Sequence, residues 1–258
     1  MPVNEPGLRS FTSIAAEKIR ADVVRCVLKP GEKLRIQALC ERYGINASAI
    51  REALSRLVAD GLVEAVDQRG FRVSAVSRED LLDLTQTRIG IESQALAKAI
   101  EIGDSDWEAY VLAAYHRLSR CPLPPIDKAP GSTPSAWEIL HRQFHETLLG
   151  GCGSRRLIDI CRALYEKSER YRSLAEDYTE PTQRDALTDH RALMEATLAR
   201  DAALACRKLA GHLTLTTQII LDGIDASASA ARAKRKPSAP GAHQKKNPRR
   251  SRARPAHM

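Results

Sequence analysis

Residues 30–73 constrain the fold more tightly than any other part of the chain. Leu39, Tyr43, Ile45, Ile50, Leu54 and Leu57 recur at helical spacing on either side of Gly44, as two short helices sharing one small core would require. Gly44 supplies the permissive backbone that a tight turn between helices needs. Asn46 is placed to cap a second helix that starts at Ala47. Residues 62–66, 67–70 and 71–73 then read as strand, turn and strand. Two helices around a tight turn, followed by a β-hairpin, form a winged helix-turn-helix, a fold that lays its second helix in the DNA major groove. Arg51 falls off the Ile50/Leu54/Leu57 stripe and so faces outward, where it can pair with a guanine edge or grip a phosphate. Arg69, at the tip of the hairpin, is placed to reach the neighbouring minor groove.

The wording of this segment resembles the N-terminal domain of GntR-family transcription regulators. The matching residues are Pro30-Gly31-Glu32-Lys33-Leu34-Arg35, Leu39, Arg51-Glu52-Ala53-Leu54, Gly61-Leu62-Val63 and Arg69-Gly70-Phe71-Arg72-Val73, within residues 13–76. The resemblance implies a double-stranded DNA operator as partner, met by Arg35, Asn46, Ser48, Arg51, Arg69 and Gly70. One departure bears on specificity. Where many relatives carry Ser-Arg-Thr before the recognition helix, this chain has Asn46-Ala47-Ser48, so one DNA-contacting Arg of the family pattern is an Ala.

The net charge of +8 is unevenly spread over the 258 residues. Residues 1–76 carry +3, residues 77–225 carry −5, and residues 226–258 hold ten Lys/Arg and no Asp/Glu. The middle of the chain is therefore excluded as a general nucleic-acid surface, and the basic charge sits at the ends. Aromatics are sparse and no β-period follows Val76, so the chain is expected to be mainly α. Helices are expected over 13–27, from a Ser77 cap to about Ile102, from Asp104 or Ser105 to near Cys121, and over about 135–149, 154–177, 181–199 and 201–222. Residues 121–135, with five Pro and one Gly, read as a loop. The expected organisation is a loose N-terminus over 1–12, the winged helix-turn-helix over 13–76, an all-helical bundle over 77–225, and a disordered basic tail over 226–258. Six scattered Cys without a CxxC pair read as reduced thiols. No signal peptide and no apolar run of about 20 residues appear, so a soluble cytoplasmic protein without a membrane partner is expected.

Four of the seven histidines form a pattern. His141 and His145 are spaced i, i+4 and share one helix face. His190 and His212 lie on two further predicted helices, so one bundle cavity could receive four imidazoles, which suit Zn²⁺, Ni²⁺ or similar borderline ions. A lone HxxxH pair is a weak signal and on its own fits solvated or core histidines better than metal ligands. His116, His243 and His257 are read as non-ligands.

Residues 78–222 resemble the FCD effector-binding domain of the FadR branch of GntR regulators, closest in wording to the carbon-starvation-induced regulator type. The matching line is His141-Arg142-Gln143-Phe144-His145-Glu146, followed by Gly151-Cys152-Gly153-Ser154. The resemblance implies a divalent metal on His145, His190 and His212, with His141 at the family's Asp position. That exchange removes a negative charge and favours Zn²⁺ or Ni²⁺. The resemblance further implies a homodimer and a repressor. Its effector would be a small carboxylate, such as the dicarboxylate glutarate, held beside the metal by Arg88, with Arg172 as a second candidate. Arg88 can instead pair with Glu92, four residues on, and Arg172 can lie on the surface. Two other functions use the same features: a metal-dependent hydrolase with a DNA-binding appendage, which lacks an HExxH-type general base, and an architectural DNA-binding protein driven by the basic tail.

Overall fold

A computed structural model of the chain describes residues 10–123, 134–175 and 186–235. In the N-terminal domain, α1 (Phe11–Val24) packs on α3 (Ala47–Ala59), and α2 (Ile36–Tyr43) crosses α3 after the Gly44 turn. Gly44 sits at φ 69°, the left-handed conformation that lets the chain leave α2 and re-enter a helix within three residues. Asn46 caps α3, its side-chain oxygen accepting from the Ala49 amide at 3.0 Å. The hairpin is β2 (Val63–Val66) and β3 (Gly70–Val73), paired antiparallel from Val63↔Val73 to Val66↔Gly70. Gln68 and Gly70 take positive φ to close its turn. A third strand, β1 (Lys33–Leu34), pairs with β3 on the side away from β2, giving the order β1-β3-β2. The expected small core forms: Leu39, Ile45, Ile50, Leu54 and Leu57 are buried, joined by Ala15, Ile19 and Val23 of α1, and Tyr43 packs against them half-buried.

Six helices follow: α4 (Arg78–Ile102), α5 (Ser105–Ser119), α6 (Ala136–Gly150), α7 (Arg155–Ala175), α8 (Ala186–Leu198) and α9 (Ala202–Arg235). Ser77 caps α4 and Glu79 and Asp80 lie in its first turn, where carboxylates meet the positive end of the helix dipole. Asp104 caps α5, and Ser135 with Glu138 forms a capping box on α6. α4 lies against α7 and α9, α5 against α6 and α8. Their shared core includes Leu96, Val111, Leu118, Phe144, Leu148, Leu193 and Leu209. Trp107 is wedged against Gly103 and Gly151, where an added Cβ would stand 2.3 and 2.8 Å from its ring. Its indole Nε1–H donates to the Thr147 carbonyl at 2.9 Å, which fixes the end of α6.

Two boundaries differ from the sequence reading. The first helix starts at Phe11 and ends at Val24, followed by Cys26 in a left-handed conformation at φ 55°. The last helix, expected to end near 222, continues to Arg235: the Ala/Ser-rich segment after Asp225 contains neither Gly nor Pro until Pro237 and so carries no stop signal. Residues 1–9 of the N-terminus expected to be loose, residues 124–133 of the expected loop, the expected break at Pro181 and the tail from 236 onward lie outside the described residues. No described helix is long and apolar enough to cross a membrane, and all six cysteines are free thiols.

The two domains meet along α7. Arg20 of α1 pairs with Glu166 at 3.0 Å and with Asp60. The Cys26 thiol donates to the Arg170 carbonyl at 3.5 Å, and the Arg170 guanidinium donates to the Ser74 carbonyl. The Tyr171 hydroxyl donates to Asp80, close to where the chain enters α4.

Candidate DNA-binding surface and candidate metal centre

α3 is an amphipathic helix with two distinct faces. Ala49, Ile50, Ala53, Leu54 and Leu57 point into the core, while Ser48, Arg51, Ser55 and Arg56 are exposed. Arg56 is held by Glu52 at 2.6 Å, and Glu52 also accepts from Thr12 of α1. Arg51 has no such partner among the described residues, so its guanidinium is available to a ligand outside the fold. Arg35, the residue before α2, and Arg69 and Gly70 at the hairpin turn are likewise exposed. Asn46 is exposed too, with its oxygen committed to the cap of α3. The six residues expected at DNA therefore lie at α2, the start of α3 and the wing tip, all outside the core.

The second site is inside the helical domain. α6 supplies His141 and His145, α8 supplies His190, and α9 supplies His212. All four are buried, His190 to 1 % exposure, and one ring nitrogen of each lies within 4.8 Å of the others. The Nε2 atoms of His145 and His190 are 3.3 Å apart. Tetrahedral coordination at about 2.0–2.1 Å per nitrogen separates donor atoms by roughly 3.3–3.4 Å, so this spacing suits an ion between them. Burial, followed by the neighbouring His145 and His190, holds His141 well below the ordinary histidine range. A neutral ring with a free lone pair is the form a metal needs. Its Nδ1 lies 3.2 Å from the Tyr165 hydroxyl, and Trp137 stacks on it with centroids 4.7 Å apart. The Trp137 Nε1–H is buried with no hydrogen-bond partner. The donor set and its burial fit a divalent ion.

Around Tyr165 the structure brings together side chains that the sequence reading treated separately. The guanidinium carbons of Arg88, Arg142 and Arg172 lie 5.4, 5.1 and 4.8 Å from the centre of its ring. Arg88 is buried and donates to Glu92 at 2.7 Å and to Ser168 at 2.9 Å, so the ion pair weighed above as its alternative role is formed. Arg172 pairs with Glu169 at 2.8 Å and is largely covered rather than on the surface. Arg142 also pairs with Glu169, at 3.2 Å. Burial pushes the Tyr165 phenol up to about 12, so it stays protonated and can donate. A cavity of about 20 Å³ lies beside Glu92, His145, Cys161 and Tyr165, too small for more than about one water. Arg142, Trp137 and Tyr165 escaped the sequence reading. Arg142 adjoins His141 and could have been found there, whereas Tyr165 reaches the site only through the packing of α7.

The comparisons with known proteins agree with this layout. Residues 12–73 match the family described as "Bacterial regulatory proteins, gntR family", and residues 83–215 match the FCD domain. The HTH-type transcriptional regulator BphR of Paraburkholderia xenovorans (strain LB400) is 36% identical over 223 residues, spanning 85% of this chain and 89% of that protein. The HTH-type transcriptional repressor GlaR of Escherichia coli (strain K12) is 36% identical over 205 residues, spanning 78% of this chain and 92% of that protein. The solved structure of E. coli McbR/YncC superposes with a TM-score of 0.67 at 20% identity, over 83% of this chain and 98% of that one, and shows the same fold. The chain belongs to the GntR family, carries its helix-turn-helix joined to an FCD domain, and is a DNA-binding transcription regulator rather than an enzyme.

Proposed function

We propose that the chain is an operator-specific repressor, acting as a homodimer, whose helical domain holds one divalent ion and responds to a small carboxylate. The observation that carries this reading is the cluster of four buried imidazoles beside three guanidiniums, in the same chain as an exposed recognition helix. His141, His145, His190 and His212 would hold the ion. An all-nitrogen donor set favours Zn²⁺ or Ni²⁺ over oxygen-seeking ions. Four neutral ligands leave the ion's charge uncompensated, so a bound ion would supply an electrophilic anchor for a carboxylate oxygen. Tyr165 orients His141 through Nδ1, leaving the other ring nitrogen for the ion.

Arg88 and Arg172 would take the far carboxylate of a dicarboxylate such as glutarate, in exchange for Glu92 and Glu169. An arginine fork matches a carboxylate better than any other side chain does. Arg51, Arg35 and Arg69, with Asn46, Ser48 and Gly70, would meet the operator. A dimer would present two such surfaces to a pseudo-palindrome, and GlaR, which is similar over most of the chain, is named a repressor.

The test is to select an operator for the metal-loaded full chain from a random DNA pool, then titrate dicarboxylates into the complex. A pseudo-palindromic operator whose affinity changes with a dicarboxylate, and loses that response after chelation, is expected. An operator complex indifferent to both metal and carboxylates would overturn the effector reading. For the arginines Arg172→Ala is the first variant, because removing one partner of the buried Arg88–Glu92 pair would cost about 3–5 kcal/mol and confuse binding with folding.

A further inference from the structure

We propose that the junction between the two domains is a second ligand site, taking a small oxyanion on Arg170 and Lys167 of α7. A cavity of about 540 Å³ opens there, between Gly61, Glu64 and Ala65 of the N-terminal domain and Asp80, Lys167 and Arg170 of the helical domain. This volume falls within the range that holds small ligands. It is far larger than the space beside the histidines.

Arg170 is the anomaly that points to a ligand. It is only 5 % exposed, yet it forms no ion pair with any described residue. Its guanidinium donates to the Ser74 carbonyl, while its Nε–H is buried with no hydrogen-bond partner. A guanidinium carries five N–H donors, and burying one without a counter-charge is costly. The neighbouring Asp80 and Glu64 carboxylates favour its charge from a distance without forming an ion pair with it. The Asp80 carboxylate accepts from the Tyr171 hydroxyl, and Glu64 stands exposed on the hairpin. Lys167 lies on the same wall, its Nζ 3.5 Å from where a Cβ on Gly61 would stand. Burial lowers the basicity of Arg170, and an anion beside it would reverse that loss.

Glu64 and Asp80 set an upper limit on the charge of the occupant. A polyanion would meet both carboxylates, whereas a single carboxylate or phosphate can reach Arg170 and Lys167 without them. An occupant would touch the hairpin strand β2 and helix α7 together, and so fix the angle between the DNA-binding domain and the helical domain. It would do so without contacting the histidines.

The experiment is calorimetric titration of inorganic phosphate, and separately of acetate and lactate, into the full chain held free of metal by chelator. The variants are Arg170→Gln, Lys167→Ala and Ala65→Phe, the last chosen to fill the cavity from the exposed side of β2. Saturable binding of at least one probe is expected, weakened about tenfold or more in Arg170→Gln, less in Lys167→Ala, and lost in Ala65→Phe. Phosphate binding without carboxylate binding, or the reverse, identifies the source of the oxyanion. No binding of any probe up to about 10 mM, or binding unchanged in Lys167→Ala and Ala65→Phe, overturns the proposal. Those two variants keep the test decisive if Arg170→Gln fails to fold.

Discussion

The side chains available to DNA stand outside a small apolar core in the N-terminal domain, whereas the polar groups of the helical domain's site stand inside its core. Arg51 can be replaced without opening a cavity, because the stripe from Ile50 to Leu57 already closes the core beneath it. His190 is packed among Phe144 and three other imidazoles, so its replacement changes packing and chemistry together. An exposed site can drift in specificity while its fold persists. A buried one binds its ligand with the same contacts that hold the domain together, so ligand and stability are linked.

That contrast yields predictions of decreasing size. Leu57→Ala, in the centre of the N-terminal core, should cost about 2–5 kcal/mol and abolish operator binding. Metal stoichiometry should survive, since the helical domain has its own core. Calorimetric melting with elemental analysis checks both, and simultaneous loss of metal would show that the junction along α7 makes the two domains one cooperative unit. His190→Ala should lower metal affinity by more than the roughly 10–100-fold that loss of an outer-shell partner costs. It should also remove the rise in melting temperature on adding Zn²⁺ or Ni²⁺. An unchanged rise would dissolve the metal centre. Arg51→Ala should weaken operator binding by about 1–3 kcal/mol while leaving the melting temperature and metal content alone, as anisotropy on the selected operator would report. Asn46→Ala should cost about 1 kcal/mol of stability through the lost cap of α3, visible as a small shift in urea midpoint. A shift beyond that would make Asn46 more than a cap.

The same difference explains what the sequence made legible. The helix-turn-helix could be read to within a residue or two because its signals are local: Gly44 in the turn, Asn46 at the cap, one apolar stripe on α3. Strand β1 was missed because two residues carry no period; Lys33 and Leu34 become a strand only by pairing with Arg72 and Phe71. In the helical domain the i, i+4 spacing placed His141 and His145 on one face, but spacing alone could not bring His190 and His212 to them, and that step rested on family wording. Arg88 and Arg172 were named only through family resemblance, and nothing in the sequence gathered them with Arg142 around Tyr165. α7 is a continuous helix whose residues 165 and 168 face the histidine side while 166 and 170 face the N-terminal domain. Only the packed structure separates those faces.

The chain contains two tryptophans, and the fold gives them different optical roles. Trp107 is buried between two glycine backbones with its indole N–H bonded to a carbonyl, apart from the four histidines. Trp137 lies face to face with the His141 ring. Any event that alters the electron density of that imidazole alters the emission of the indole stacked on it, while Trp107 supplies a constant background. Were an ion to bind the four histidines, its occupancy would be readable by intrinsic fluorescence in the native protein, without a label, with Trp137→Phe as the blank.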